Sequence, residues 1–421
     1  MSFEKFALHE NIFAGVRSQG YITPTPIQLQ AIPPIMHGRD VMGLAQTGTG
    51  KTAAFALPIL QRLIQGPHRH VRALIIAPTR ELSEQTHEVI GQLGCKTQLS
   101  SASIYGGVSI NRQIKRLHDR VDIISACPGR LLDLLGRGTV DLSHVEVLVL
   151  DEADQMFDMG FLPDIRKIVK SLPTKRQTLL FSATMPGDVQ HLANDLLNNP
   201  VEIRIGRTAP VETVSHRFYP VQMDTKIDLL KDLLDHTDRE SVLVFTRTKS
   251  RAKSVAGRLD KSGYKVIPLH GNLTQQKRQK ALDGFRDGRY EIMVATDIAA
   301  RGIDVTKISH VINYDMPQTA DAYTHRIGRT GRAAKTGEAF SFVTTQDAGL
   351  AHSLKRNLGD KVAYHSVDGL TMAVPADPAP HPGRNRGVKG MKTQGGGGRS
   401  FPPKTQGKRP FKLAGRRPWS H

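Results

Sequence analysis

The stretch AQTGTGKT, which begins at Ala45, holds the residues with the clearest chemical potential. Gly48 and Gly50 let backbone N–H groups approach phosphates, and the start of the helix predicted to follow favours negative charge. Lys51 can reach the β- and γ-phosphates of a nucleotide, and the Thr52 hydroxyl can bind Mg²⁺. The usual template has glycine in place of Ala45, but one added methyl matters far less than loss of Gly50 or Lys51 would. The stretch therefore predicts a nucleotide site.

A pair of acidic residues, Asp151 and Glu152, directly follows the apolar run VEVLVL at residues 145–150. A carboxylate at the end of a buried strand can hold the Mg²⁺ of a bound nucleotide. The carboxylate beside it can orient and deprotonate an attacking water. Alone, the pair could equally be a helix-capping cluster. Together with the phosphate loop upstream, it predicts nucleotide hydrolysis.

The segment GYITPTPIQ, residues 20–28, could read the base of the nucleotide. The side chain of Gln28 can both donate to and accept from the N7/N6 edge of adenine. Phe3 or Tyr21 could stack on the ring. From these residues alone, a proline-rich turn with an incidental glutamine is the better interpretation.

Short apolar runs predict the strands that must position these residues. After VMGL (41–44), one series lies at 71–77, 121–125, 145–150 and 177–181, and a second at 242–245, 265–269, 291–295, 310–314 and 339–343. The runs lack polar alternation, which is typical of buried parallel strands. Most end in polar or small-residue clusters, and ligands of such sheets bind at the carboxyl ends of the strands. We therefore expect two α/β domains with parallel sheets.

The composition of the 421 residues suggests a polyanionic partner. The formal net charge is +19; the length is enough for two or three domains, and a hydrophobic content of 39% is enough for folded cores. Such an excess favours nucleic acid over an anionic membrane, although a merely solvated basic surface is the alternative. Cys95 and Cys127 are the two cysteines and argue against a disulfide framework or a cysteine zinc site. The first residues do not resemble a secretory signal and no apolar run could cross a bilayer, so we expect a soluble, cytoplasmic protein without membrane contact.

The last 51 residues, 371–421, differ in composition from the rest. They hold eleven Lys and Arg against a single acidic residue, together with nine Gly and eight Pro. Such a segment cannot bury enough apolar surface to offset chain entropy, so it is predicted to be disordered. It suits a non-specific nucleic-acid tether, with an inert solubilising tail as the alternative.

At this point the motifs, in chain order, closely resemble those of the DEAD-box RNA helicases over about residues 1–370. The resemblance rests on Phe3, GYITPTPIQ, AQTGTGKT, PTREL, DEAD, SAT, ATDIAARGID and HRIGRTGR. This family writes its phosphate loop with alanine first, so Ala45 is the family form. GGVSIN, DMGF, VLVFTRTK and the basic tail further resemble the bacterial RhlE-type subgroup.

The resemblance implies two tandem RecA-like domains with parallel sheets and a disordered basic C-terminal tail. The implied boundaries are a Q-motif region at 1–29, a first domain at 30–207, a linker at 208–216, a second domain at 217–370 and the tail at 371–421.

The resemblance also assigns the ATP site. ATP would contact Phe3, Tyr21, Gln28, Asp304 and the loop residues Ala45, Gln46, Thr47, Gly48, Thr49, Gly50, Lys51 and Thr52. Mg²⁺ would be held by Thr52 and Asp151. Catalysis would involve Lys51, Asp151, Glu152 as general base, Ser182 and Thr184 of SAT, His325, and the arginine fingers Arg329 and Arg332. Alone, HRIGRTGR could be a solvated basic helix, but a fixed guanidinium suits the charge that builds up in phosphoryl transfer.

The RNA contacts implied by the family follow both domains. They are Arg80, Gly106, Gly107, Pro128, Gly129 and Arg130 in the first domain, and Thr246, Arg247, Gln275, Arg278, Thr296 and Arg301 in the second. Most would be phosphate and 2′-OH contacts, which recognise RNA without reading its sequence. Cys127 stands where the family has threonine, and a thiol is a poor substitute for a hydroxyl donor to phosphate.

The function expected from these features is that of an ATP-dependent RNA helicase, with RNA-stimulated ATP hydrolysis coupled to local, non-processive duplex unwinding. A monomer is expected, with partners in ribonucleoprotein assembly or RNA decay. The alternatives are a DNA-directed superfamily 2 helicase, a ring-forming P-loop ATPase, and an ATP-gated RNA clamp or chaperone. RNA-dependent ATPase activity separates them.

Overall fold

The structure is a computed structural model that describes residues 2–46, 48–119, 121–205, 214–300, 308–331 and 337–372. The predictions for Thr47, Arg301, Asp304 and Arg332 lie outside the described residues, as does nearly all of the predicted tail.

Seven parallel strands form the first sheet. They are β1 (Val41–Leu44), β2 (Ala73–Ile76), β3 (Ser101–Ile104), β4 (Ile123–Ala126), β5 (Val147–Leu150), β6 (Gln177–Ser182) and β7 (Val201–Arg204). Their order across the sheet is β3-β4-β2-β5-β6-β1-β7.

Seven further parallel strands form the second sheet. They are β8 (Val214–Pro220), β9 (Val242–Thr246), β10 (Val266–Leu269), β11 (Ile292–Thr296), β12 (His310–Asn313), β13 (Gly337–Val343) and β14 (Val362–Tyr364). Their order is β10-β11-β9-β12-β13-β8-β14. When the strands of each domain are numbered from one, both sheets have the order 3-4-2-5-6-1-7. The two sheets therefore share one topology. The prediction of two tandem RecA-like domains is confirmed.

The helices connect these parallel strands. In the first domain they are α1 (Glu10–Ser18), α2 (Pro26–Met36), α3 (Lys51–Leu63), α4 (Arg80–Leu93), α5 (Ile110–His118), α6 (Pro128–Gly136), α7 (Ala153–Asp158), α8 (Leu162–Val169) and α9 (Gly187–Leu196). In the second they are α10 (Lys226–His236), α11 (Lys249–Lys261), α12 (Gln275–Arg286), α13 (Asp297–Ala300), α14 (Ala320–Ile327) and α15 (Ala348–Leu358). Short 3-10 helices lie at Phe3–Phe6, Thr345–Asp347 and Gly359–Lys361.

Each sheet is covered on both faces, which explains why its strands read as continuous apolar runs. Along β5, Val147 and Val149 join one hydrophobic cluster, whereas Leu148 and Leu150 join the other. Successive strand residues point to opposite faces, so both faces of this strand are core. This packing fixes the carboxyl ends of the strands, where the predicted site residues lie.

The end of the predicted linker lies in the second sheet. β8 begins at Val214, so the last three residues of the predicted linker 208–216 belong to the second sheet. In the part of the chain that the structure describes, no helix is long and apolar enough to span a bilayer.

Candidate active site

The predicted phosphate loop lies between β1 and α3. Gly48 and Gly50 adopt φ angles of +83° and +90°, which favour glycine, and Gly50 caps the N-terminus of α3. Ala45 is buried in the core of the first domain, and its N–H donates to the Ser182 carbonyl at 3.0 Å. Lys51 is buried, and its Nζ donates to the Ala45 carbonyl at 2.9 Å. The methyl of Ala45 therefore contributes to packing and does not enter the loop's phosphate-facing surface.

Gln28 contacts the phosphate loop directly. Its Oε1 accepts from the Thr25 N–H at 2.9 Å, and its Nε2 donates to the Gly50 carbonyl at 3.2 Å. A Cβ on Gly50 would lie 2.5 Å from Nε2 of Gln28, so a side chain here would displace the Gln28 amide. The family resemblance implies an adenine contact for Gln28, and in the structure the same side chain also contacts the phosphate loop.

Phe3 and Tyr21, the two rings predicted to lie near the base, contact each other. Their ring centroids are 6.0 Å apart. Phe3 is buried, whereas Tyr21 is 36% exposed. Tyr21 is therefore the more accessible of the two rings, and the buried Phe3 ring packs against it.

The acidic pair lies at the carboxyl end of β5. Asp151 and Glu152 are both 2% exposed, and the Glu152 N–H donates to Asp151 Oδ1 at 3.0 Å. Burial raises the pKa of Asp151 to about 7, although the nearby Lys51 ammonium acts in the opposite direction. Glu152 has a left-handed φ of 52°, which is uncommon for a residue with a side chain and is typical of functional sites.

Asp154 is the residue that sequence reasoning missed in this motif. Its N–H donates to Ser182 Oγ at 3.1 Å, and its Oδ2 accepts from Thr184 N and Thr184 Oγ1 at 2.8 and 3.0 Å. Ser182 Oγ in turn donates to the Thr184 carbonyl at 2.7 Å. DEAD and SAT therefore form one hydrogen-bonded unit, because neighbouring strands β5 and β6 end side by side.

The second domain approaches this unit through α14. Nε2 of His325 lies 3.8 Å from Oδ2 of Asp154. A cavity of about 270 Å³ is lined by His325 and Arg329 together with Asp158 of the first domain. Arg329 is only 5% exposed. Its neighbour Arg326 is fixed by two contacts with Asp297, at 2.6 and 2.8 Å, so the polypeptide around Arg329 is firmly held.

The donor atoms present suit a hard divalent cation. Asp151 offers carboxylate oxygens and Thr52 a hydroxyl, and Mg²⁺ usually binds one or two protein oxygens together with waters and substrate phosphates. Like burial, the nearby Glu152 and Asp154 carboxylates raise the pKa of Asp151. A divalent cation bound at Asp151 would offset this concentration of negative charge.

A groove of about 480 Å³ runs between the two domains on the side predicted to bind RNA. Its lining includes five of the predicted RNA residues, Arg80, Gly106, Gly129, Arg130 and Arg278. Gly107, with a φ of +81°, lies against the guanidinium of Arg80, leaving no space for a Cβ.

Arg278 is paired within the protein. Its guanidinium lies 2.6 Å from Oε1 of Glu81, and both residues are only 6% exposed. Because Glu81 belongs to α4 and Arg278 to α12, this ion pair joins the two domains. Arg278 also donates to the carbonyls of His270 and Ala299 at 3.5 and 3.4 Å. In this conformation its charge is directed to the domain junction and not to a phosphate.

The other predicted RNA residues of the second domain differ in accessibility. Thr246 is buried, and its Oγ1 donates to the Ala295 and Thr248 carbonyls at 3.4 Å. The side chain of Arg247 is 46% exposed and lies 3.5 Å from Asp347. The Arg247 side chain is therefore accessible to solvent in this conformation, whereas the Thr246 side chain is not.

Cys127 lies in the groove at the N-terminus of α6. It occupies the N-cap position without forming a side-chain capping bond. Burial raises the pKa of its thiol to about 12, so the group is neutral and protonated at physiological pH. The groove therefore carries no thiolate that would repel phosphate.

Two family models match the chain. One, described as DEAD/DEAH box helicase, matches residues 25–192, and the other, described as helicase conserved C-terminal domain, matches residues 225–334. A DEAD-box ATP-dependent RNA helicase named CshA from Geobacillus kaustophilus is 42% identical over 362 residues, which cover 86% of this chain and 77% of that relative.

Solved structures match both domains together. Dbp5 of S. cerevisiae bound to RNA and ADP BeF3 aligns with a TM-score of 0.78 at 32% identity, covering 87% of this chain and 96% of that one. A single-residue variant of Dbp5 bound to Nup159, a Gle1 variant, IP6 and ADP gives a TM-score of 0.60 at 31% identity, covering 86% and 96%.

Proposed function

The chain belongs to the DEAD-box ATP-dependent RNA helicase family, and we propose that it separates short RNA duplexes locally, without long translocation. One observation carries this proposal: within the described residues, two contacts between the domains connect both sites. His325 approaches the DEAD–SAT unit of the ATP site, and Arg278 pairs with Glu81 at the RNA groove. A ligand that binds both domains favours their closed arrangement by its differential affinity, so ATP and RNA each promote closure.

At the ATP site, each residue has a separate proposed role in phosphoryl transfer. When ATP binds, the Lys51 ammonium gives up its hydrogen bond to the Ala45 carbonyl and contacts the phosphates instead. The Tyr21 ring and Gln28 bind the base. Glu152 accepts a proton from the attacking water, and Arg329 stabilises charge on the equatorial oxygens. Asp151 and Thr52 would hold Mg²⁺, which, when bound, neutralises charge on the β- and γ-phosphates.

On the RNA side, Arg80, Arg130 and Arg247 are proposed to contact the phosphates, with the glycines of the groove allowing close backbone approach. Nε of Arg278 donates to Oε1 of Glu81 at 2.7 Å, so its proposed role is to hold the groove closed. Such contacts bind the backbone of RNA and carry no sequence information.

The test is an ATPase and strand-separation assay on the full chain. We expect single-stranded RNA to stimulate ATP hydrolysis strongly and DNA of the same sequence to do so weakly. A short RNA duplex should be separated with ATP, and a long one should not. Stimulation by DNA would favour a DNA-directed helicase, and RNA stimulation without strand separation would favour a clamp.

The Glu81–Arg278 pair should matter for RNA-stimulated turnover. Glu81→Gln leaves a buried guanidinium without its carboxylate, which penalises the closed arrangement. Because the domains can separate and hydrate that charge, we expect a loss of about 10- to 100-fold, equivalent to about 1.4–2.8 kcal/mol. The loss is measured as the rate of RNA-stimulated ATP hydrolysis.

Two further variants make this result specific. Asp195→Asn removes an exposed ion pair with Arg166 inside the first domain and should leave turnover unchanged. Exchanging the two charges, Glu81→Arg with Arg278→Glu, should recover part of the lost activity. Full activity of Glu81→Gln would show that the pair does not contribute to closure.

Cys127→Thr should restore the hydroxyl that the family has at this position. Threonine at an N-cap satisfies a free N–H of the helix, so we expect about 1 kcal/mol of added stability. One added hydrogen bond to phosphate should strengthen RNA binding by about 2- to 10-fold. Cys127→Val, which has the shape of threonine without the hydroxyl, is the matched control. Equal RNA affinity in both variants would contradict the assignment of an RNA contact to this position.

We further propose a monomer that acts in the cytoplasm with Mg²⁺ and ATP, and a tail, residues 371–421, that tethers RNA. The tail's composition supports this, since it is strongly basic with few apolar residues. Its deletion should weaken RNA binding and flatten the dependence of affinity on salt, because fewer counterions are released. Unchanged binding would leave the tail as a solubiliser.

A further inference from the structure

A buried ion pair in the second domain joins Lys226, the first residue of α10, to Asp315, which follows β12. Lys226 is 1% exposed and Asp315 is 2% exposed, and Nζ of Lys226 lies 3.2 Å from Oδ1 of Asp315. The same oxygen accepts from Nη1 of Arg251 at 2.8 Å. Removing two charges from water is costly, so a buried ion pair alone is weak evidence for stability. The remaining contacts of Asp315 point to a role in positioning.

The carboxylate of Asp315 holds the turn that follows β9. Its Oδ2 accepts from the Arg247 N–H at 2.9 Å, and the Asp315 N–H donates to the Phe245 carbonyl at 3.2 Å. The guanidinium of Arg247 also donates to the Met316 carbonyl at 3.4 Å. Because β9 and β12 are neighbours in the sheet, the segments that follow them lie side by side. Asp315 therefore joins these two segments.

The segment after β12 also binds Arg326 of α14. Nη1 of Arg326 donates to the Asp315 carbonyl at 2.7 Å and to Oδ1 of Asn313 at 3.0 Å. Arg326 is buried, and it lies between His325 and Arg329 in the chain. The place of Arg326 therefore decides where these two residues lie. Asp315 contacts the turn after β9 through its side chain and Arg326 through its backbone.

The Asp315 carboxyl is ionised in this environment. Burial alone would raise its pKa, but the Arg247 N–H and the cations Lys226 and Arg251 act against burial, and the pKa is lowered from its usual value. An ionised carboxylate has two acceptor oxygens, so it can bind the Arg247 N–H and both cations at once. Asparagine could still accept from the Arg247 N–H, whereas leucine could not. The hydrogen bond to Arg247 can therefore be tested separately from the charge.

We propose that Asp315 is a positioning residue for the arginine finger. Its carboxylate anchors the turn after β9 to the segment that binds Arg326, and this anchor keeps Arg329 in place for phosphoryl transfer. A displacement of about 1 Å near a reacting group can cost about 10²-fold in rate, so loss of the anchor should lower turnover. The inference rests on the proposed function, because it concerns how Arg329 acts there. The competing interpretation is that the ion pair only stabilises the second domain.

The test compares two double variants that both remove the buried ion pair. Lys226→Met with Asp315→Asn keeps an acceptor for the Arg247 N–H, and Lys226→Met with Asp315→Leu does not. Arg251 loses its carboxylate partner in both, but its side chain is 37% exposed and can be hydrated. Leu259→Ala, which opens a cavity in the core beside α11, is the control for reduced stability. Thermal unfolding is measured for every variant.

The kcat and the KM for ATP are measured on the full chain with saturating oligouridylate. Lys226→Met with Asp315→Leu should lower kcat by about 10- to 100-fold and leave the KM for ATP unchanged. Lys226→Met with Asp315→Asn should retain most of the wild-type kcat, and Leu259→Ala should unfold at a lower temperature without losing kcat. If leucine prevents folding, Asp315→Ala takes its place in the double variant, because the smaller side chain also lacks an acceptor.

Equal kcat values for the two double variants would overturn the assignment. An equally large loss in Leu259→Ala would also overturn it, since reduced stability would then explain the effect. If Asp315→Leu instead raised the RNA concentration needed for half-maximal stimulation and left kcat unchanged, Asp315 would serve RNA binding and not the finger.

RNA-stimulated ATPase of the wild-type chain, measured in the same assay, distinguishes this inference from the proposed function. If the stimulation is present and the two double variants turn over ATP alike, only the positioning role of Asp315 is wrong. If the stimulation is absent, the proposed function fails and this inference fails with it.

Discussion

Glu152→Gln is expected to lower RNA-stimulated ATP turnover by about 10²- to 10⁴-fold while ATP binding is retained. Glutamine keeps the size of the side chain but cannot accept a proton. Glu152 is 2% exposed and has a left-handed backbone, and its N–H bonds to Asp151, so the variant side chain should occupy the same place. Single-turnover hydrolysis measures the loss, and binding of a fluorescent ATP analogue measures retained affinity.

The matched control is Glu202→Gln, which removes an exposed carboxylate from edge strand β7 of the same domain. It should leave turnover unchanged. Normal turnover in Glu152→Gln would contradict the assignment of the general base. Loss of ATP binding together with turnover would instead assign Glu152 to the binding of nucleotide.

Arg329→Ala is expected to lower turnover by about 10³- to 10⁵-fold, the range typical of an arginine finger. Arg329 is 5% exposed, and it lines a cavity that includes Asp158 of the other domain. A guanidinium held at such a junction can reach the phosphates of a nucleotide on the first domain only when the domains meet. The affinity for ATP should therefore change much less than the catalytic rate.

Arg329→Lys should also be strongly impaired, because an ammonium lacks the planar fork that matches phosphate oxygens. Because the lysine variant keeps the positive charge, it distinguishes the effect of losing the planar guanidinium from the effect of a less stable domain. Arg356→Ala, an exposed arginine of α15, is the control for charge on the second domain. If Arg329→Lys turned over ATP at the wild-type rate, a specific finger role would be excluded.

The strands that the sequence predicted are mostly those in the interior of each sheet. All ten apolar runs became strands, because burial on both faces requires continuous apolar residues. The four missed strands lack such a run. β7, for example, is an edge strand in which Glu202 and Arg204 are exposed. In β8, the polar His216 is buried because its Nδ1 lies 2.9 Å from the Tyr323 hydroxyl, a contact that no local pattern reveals.

The predicted site residues that lie in one short motif, as in the phosphate loop and DEAD, are neighbours in the structure because they are neighbours in the chain. Contacts between motifs could not be read from the sequence. Glu81 and Arg278 are 197 residues apart, and only the docking of α4 against α12 brings them together. For the same reason the sequence does not predict the contacts of Asp154 with Thr184 and His325. A motif match predicts that residues such as Arg278 are functional. It does not tell whether their side chains contact RNA or another residue of the protein, as Arg278 contacts Glu81.

The most direct test of the account is the coupling between ATP and RNA. The affinity of Glu152→Gln for a single-stranded oligouridylate is measured with and without a saturating non-hydrolysable ATP analogue. Since both ligands favour closure of the same two domains, the analogue should tighten RNA binding by about 5- to 150-fold, and RNA should tighten analogue binding by the same factor. An RNA affinity that does not change with the analogue would contradict the central claim that the two ligands share one closed state.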